Sequence, residues 1–84
     1  MTKIEPRLRT KLQTALLDDV RLIVRVEGEM SAASARLAEL GVTVLRSFRL
    51  IHAVAVRCSG EQALALLQEP CVRLIEEDRQ VSVQ

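Results

Sequence analysis

The sequence predicts one α+β domain in which a short leading helix precedes two successive strand-helix-strand units. Three observations carry that prediction. Val20 to Glu27 alternates apolar and polar residues, as a half-buried strand does. Two later stretches, one behind Ser31 and one behind Ser59, repeat apolar residues at helical spacing after a capping residue. The chain has 84 residues, 49% of them apolar, which suits one small packed domain and excludes most multi-part enzymes.

The leading helix is expected over residues 6–17. Pro6 suits a first turn, and Leu8, Leu12, Ala15 and Leu16 recur at helical spacing before Asp18 and Asp19 break the pattern. In the strand that follows, Val20, Leu22, Val24 and Val26 share one face and Arg21, Ile23, Arg25 and Glu27 the other. Gly28 to Ser31 reads as a turn with Ser31 as N-cap, and the helix behind it places Met30, Ala33, Leu37 and Leu40 on one stripe. Gly41 closes that helix.

A second strand is expected from Val42 to Leu50, with Val42, Val44 and Phe48 in phase and Arg46 between them. Residues 50–53 must turn the chain without a Gly or Asn to mark the place. Val54, Val56 and Cys58 then alternate with Ala53, Ala55 and Arg57 in a third strand. Ser59 and Gln62 form a capping box that opens a helix presenting Ala63, Leu64 and Leu67, and Glu69-Pro70 stops it. Val72 to Asp78 is the fourth strand.

That order is the ferredoxin-like βαββαβ sandwich: a four-stranded antiparallel sheet with two helices on one face, preceded by a short N-terminal helix. It divides the chain into a helical extension (1–19), the sandwich (20–78) and an extended C-terminal tail (79–84).

Twelve Lys and Arg against eleven Asp and Glu leave a net charge of +1, too weak a field to draw the chain to nucleic acid or an anionic membrane. The charge is unevenly spread. Residues 1–57 hold ten basic and six acidic groups, and residues 58–84 hold two basic and five acidic. Glu76, Glu77 and Asp78 are consecutive, a run that suits either a solvated strand end or an anionic contact site. Phe48 is the only aromatic, so no base-stacking platform for RNA is expected.

No run approaches the ~20 apolar residues that span a bilayer, and the N-terminus lacks a signal-peptide core. As written, the chain is expected to be cytoplasmic unless it is cut from a secreted precursor. No membrane or nucleic-acid partner is expected.

Cys58 and Cys71 do not form a metal-binding or redox spacing, and they read as free structural thiols. His52 is the sole histidine and has no nucleophile or carboxylate in a defined relation to it. No phosphate loop or paired-carboxylate motif is present. No enzymatic activity, cofactor or metal is expected.

With both helices on one face, the other face of the sheet is open. Ile23, Ala53 and Ala55 fall there, with Arg21, Arg25 and Arg57 around them. Small residues on a central strand allow another backbone or helix to approach closely, and an open, partly apolar sheet is a common interaction surface. The alternative is that the leading helix covers this patch.

The segment from Leu22-Ile23-Val24-Arg25-Val26 to Glu76-Glu77-Asp78 resembles the propeptides of subtilisin-like serine proteases and their free-standing inhibitor relatives. The most specific part is Glu69-Pro70-Cys71-Val72-Arg73-Leu74-Ile75-Glu76-Glu77-Asp78, which is similar to the family's Pro-x-Val-x-x-Ile-Glu-x-Asp finish. Leu37-Ala38-Glu39-Leu40-Gly41-Val42 adds to it, and Ala53 and Val54 depart from the glycine and aromatic frequent in the family.

The resemblance implies a protease inhibitor or folding chaperone whose partner is a subtilisin-like serine protease. The docking face would be Ile23, Arg25, Ala53, Ala55 and Arg57, laid against two surface helices of the protease. Glu76, Glu77 and Asp78 would cap those helices, with Glu77 and Asp78 favoured for the role. Val81, Ser82, Val83 and Gln84 would enter the substrate cleft as an extended, product-like strand. The competing reading is an amino-acid-binding regulatory domain of the same topology, with its ligand in the loop after the first strand.

Overall fold

The computed structural model describes residues 3–78. The elements are α1 (Pro6–Gln13), β1 (Asp19–Val26), α2 (Met30–Glu39), β2 (Thr43–Phe48), β3 (Ala53–Ser59), α3 (Gly60–Ala65) with a 3-10 turn at Leu66–Gln68, and β4 (Val72–Glu77). The four strands form one antiparallel sheet in the order β2-β3-β1-β4. This is the expected α+β, ferredoxin-like arrangement, with a helix added at the N-terminus.

One core explains why the pattern folds this way. Leu22, Val24 and Val26 of β1 meet Val54, Val56 and Cys58 of β3, and Val72 and Ile75 of β4. Ala33 and Leu37 of α2 and Ala63 and Leu66 of the α3 segment close over them. Met30 and Leu40 lie at the ends of the α2 stripe, half-buried as that periodicity implies. On the α3 segment, Leu66 takes the central position, while Leu64 and Leu67 pack at its margins.

The leading segment is built into this same core. Ile4, Leu8 and Leu12 are buried in it, and Ile4 bridges Ile75 in parallel while the Ile75 amide donates to the Lys3 carbonyl at 2.7 Å. The helix ends at Gln13 rather than continuing to Leu17. The Thr14 hydroxyl donates to the Lys11 carbonyl, an alternative to continued helix, and the chain then passes over the start of α3. There the Glu61 amide donates to the Leu16 carbonyl at 3.0 Å. Gly60 permits the contact, since a Cβ at that position would lie 2.3 Å from the Ala15 carbonyl oxygen.

Caps follow the sequence with one correction. The N-cap of α2 is Glu29, not Ser31: its carboxylate accepts from the Ser31 and Ala32 amides. A longer acidic side chain reaches the first turn, where an anion also meets the positive end of the helix. The Ser59–Gln62 capping box forms as expected. The Gln62 side-chain Nε2 also donates to the Gly41 carbonyl at 3.2 Å, tying the end of α2 to the start of α3.

The β2–β3 connection solves its lack of glycine with His52, held at φ 54°. Its amide donates to the Arg49 carbonyl, and its ring Nε2 lies 2.7 Å from the Gly28 carbonyl oxygen. A residue otherwise disfavoured in that conformation is fixed there by a second contact.

Candidate functional site: the open face of the sheet

Strand alternation sends every second side chain of the sheet away from the helices. The register arranges these outward residues in three rows across the strands. The first row is Thr43, Arg57 and Arg21; the second is Arg46, Ala55, Ile23 and Glu76; the third is Phe48, Ala53, Arg25 and Leu74. No helix among the described residues packs on this face, because the buried residues of α1, α2 and α3 all belong to the core on the opposite side. The predicted docking residues Ile23, Arg25, Ala53, Ala55 and Arg57 are therefore brought together on one surface.

The leading helix does not cover that surface. Leu8 and Leu12 turn into the core, while Glu5 and Arg7 border a cleft of about 830 Å³ that runs along the outer edge of β4 past Ile23 and Leu74.

The two alanines of this face are buried. Ala53 is 0% and Ala55 5% exposed, although neither belongs to the main core. Their neighbours in the rows are the longer Phe48, Arg25, Arg46 and Ile23. The Arg46 guanidinium carbon lies 5.9 Å from the centre of the Phe48 ring.

Phe48 and Arg46 reach this face through a β-bulge. The register shifts between Val44 and Arg46, so Val44 opposes Val56 on the helix side whereas Arg46 opposes Ala55 on the open side. An uninterrupted strand from Val42 would have driven Arg46 into the core with Val44. The extra residue moves the charge outward and carries Phe48 with it. The sequence signal was the arginine standing in phase with valines, a conflict that one inserted residue resolves.

The acidic run is divided between the two faces. Glu76 points to the open side and accepts from Arg25 Nε at 3.0 Å. Glu77 opposes Leu22 on the helix side, and its carboxylate pairs with Lys11 of α1. Asp78 follows the strand, and its amide donates to the Arg21 carbonyl at 3.2 Å. Among the described residues its carboxylate has no ion-pair partner. Glu77 thus lies away from the open face, and Glu76 lies on it. Val81, Ser82, Val83 and Gln84 lie outside the described residues.

The loop after β1 is chemically occupied. A cleft of about 330 Å³ lies beside it, bordered by Gly28, Ala32, Arg36, Glu69 and Cys71. The α2 amides facing it are taken by Glu29. Its arginine, Arg36, donates to Glu69 at 2.9 Å and 3.3 Å, and this hydrogen bonding holds the Glu69 carboxyl below its ordinary range. An amino-acid carboxylate would have to displace one of these internal carboxylates.

Cys58 and Cys71 are free. They stand at opposite ends of β1, since Cys58 pairs with Val20 while the Cys71 carbonyl accepts from Glu27. Burial pushes the Cys58 thiol up to about 11, with a smaller push from the Asp19 charge. Among the described residues, no three His, Cys, Asp or Glu side chains gather as a metal site, and no helix is long and apolar enough to cross a membrane. Comparison of the chain with models of protein families, with curated proteins and with solved structures finds no match.

Proposed function

We propose that this chain is a propeptide-like module that inhibits, or assists the folding of, a subtilisin-like serine protease, and that it performs no catalysis itself. The observation carrying the reading is the open sheet face, where the register sets the small Ala53 and Ala55 among the longer Phe48, Arg46, Arg25 and Ile23, and where no helix among the described residues packs. A partner helix laid along that face would bury Ile23, Phe48 and Leu74, which are half-exposed.

Glu76 sits on the same face, and Asp78 follows it at the strand end; both suit the N-termini of partner helices, whose unpaired amides favour anions. Residues 79–84 follow directly from this end of β4. Their Val81 and Val83 favour the extended form that a protease cleft binds, which lowers the cost of ordering.

The reading is tested by inhibition of a purified subtilisin-type protease with a peptide substrate. The intact chain should inhibit competitively, and Ala55→Lys should weaken inhibition at least tenfold while circular dichroism stays unchanged. Equal potency of the two proteins would remove the sheet face from the mechanism. Calorimetry with a panel of amino acids tests the regulatory-domain reading, which the occupied loop after β1 disfavours; saturable binding there would favour it over docking.

A further inference from the structure

The open face carries a charge pattern that its folding does not require. Arg21 of β1 stands directly opposite Arg57 of β3, and both side chains are exposed. Like charges directly opposed across antiparallel strands destabilise the pair. Among the described residues neither arginine has an ion-pair partner, whereas Arg25 in the same face pairs with Glu76 and Lys11 of α1 pairs with Glu77. Arg46 adds a third uncompensated charge one row away, turned outward by the bulge. A local rule is broken at the end of the sheet from which the chain continues into residues 79–84. The one acid beside the pair is Asp78, whose amide donates to the Arg21 carbonyl at 3.2 Å, and its single charge leaves two of the three arginines uncompensated.

We infer that the Arg21–Arg57 pair, with Arg46, is a recognition site for carboxylates on an acidic protein surface, so that the partner's docking helices bear Asp or Glu where they meet this end of the sheet. The inference rests on the sheet face being the docking surface. Guanidinium groups bind carboxylates in bidentate geometry, and two of them side by side match a pair of acids one helical turn apart. A second copy of this chain would present the same arginines and be repelled. Nucleic acid is a poorer match, since Phe48 is the only aromatic and is already under Arg46.

The test has two arms. In the first, amide chemical shifts are followed while poly-L-glutamate is added at low ionic strength, with Arg21→Gln/Arg57→Gln as the control. The inference expects shifts centred on Arg21, Arg46 and Arg57, suppressed by salt and at least tenfold weaker binding in the double variant. Shifts centred on Arg7 and Arg9 of α1, no binding at all, or tighter binding of a single-stranded DNA oligonucleotide to the same face would each overturn it.

In the second arm, the association rate with a subtilisin-type protease is measured for the parent and for Arg21→Glu/Arg57→Glu. At low salt the reversed variant should associate at least tenfold more slowly. Unchanged inhibition and salt dependence would overturn the inference while leaving the inhibitor reading intact. Poly-L-glutamate binding at Arg21 and Arg57 without protease inhibition by the parent would do the reverse.

Discussion

Glu76 and Glu77 are adjacent in β4, yet their carboxylates serve opposite sides of the sheet: Glu76 meets Arg25 at 3.0 Å on the open face, and Glu77 meets Lys11 of α1 on the helix side. Alternation in a strand makes this unavoidable. It separates a residue available to a partner from one engaged in holding the leading helix to the sheet edge.

Single substitutions should therefore part company. Glu76→Ala and Asp78→Ala should each weaken inhibition of a subtilisin-type protease about two- to fivefold, the equivalent of ~0.3–1 kcal/mol for an anion at a helix N-terminus. Glu77→Ala should leave inhibition unchanged and lower stability by no more than about 1 kcal/mol, as expected of an exposed ion pair. Denaturant titrations and inhibition curves on the three variants check this directly.

Gly60→Ala should destabilise the domain even though alanine is the better helix former. The added Cβ would collide with the backbone carbonyls of Ala15 and Leu12, and backbone cannot step aside as a side chain can. A loss of about 1–3 kcal/mol is expected from such overpacking, which for a domain of this size lowers Tm by roughly 4–8 °C per kcal/mol. An unchanged or raised Tm in a thermal melt would mean the α1–α3 contact is looser than described.

Leu12→Ala should cost about 2–5 kcal/mol, the range for a fully buried leucine. Deletion of residues 1–18 should leave a domain without cooperative unfolding, because Ile4, Leu8 and Leu12 are part of the single core. Cooperative melting of the truncated chain would show that the leading segment is dispensable.

Cys58 should resist alkylation at pH 8 while Cys71, half-exposed, reacts. Burial raises the folded thiol's pKa from its ordinary 9.0 to about 11, so well below pH 9 both folded and unfolded forms are protonated and the full contribution is present. Between pH 9 and 11 the unfolded thiol ionises first, the unfolded state holds fewer protons, and stability falls as pH rises. Urea titrations across this range should show the decline in the parent and less of it in Cys58→Ala.

Much of the fold could be read from the chain because local and global signals agree. Val20 to Glu27 alternates cleanly, Ser59 and Gln62 close a capping box, and Gly41 takes φ 88° where a helix must end. The misreadings arose where tertiary contacts overrode local pattern. Residues 14–17 carry helical spacing but are drawn over Gly60 instead, and Arg46 sits in phase with valines until a bulge turns it outward. The open face was legible in Ile23, Ala53 and Ala55 because period-two alternation fixes sides. The placing of Arg46 and Phe48 on it was not, since that depends on the bulge.

The most direct test of the account compares the intact chain with a form truncated after Asp78, both assayed against a subtilisin-type protease. The sheet face alone should dock weakly, and residues 79–84 should supply occupancy of the cleft. Truncation is expected to abolish most inhibition without altering the circular dichroism spectrum or the Tm, and Val81→Asp in the intact chain should nearly reproduce that loss by placing a charge in an apolar subsite. A truncated protein that inhibits with the potency of the intact chain, or an intact chain that does not inhibit at all, would contradict it.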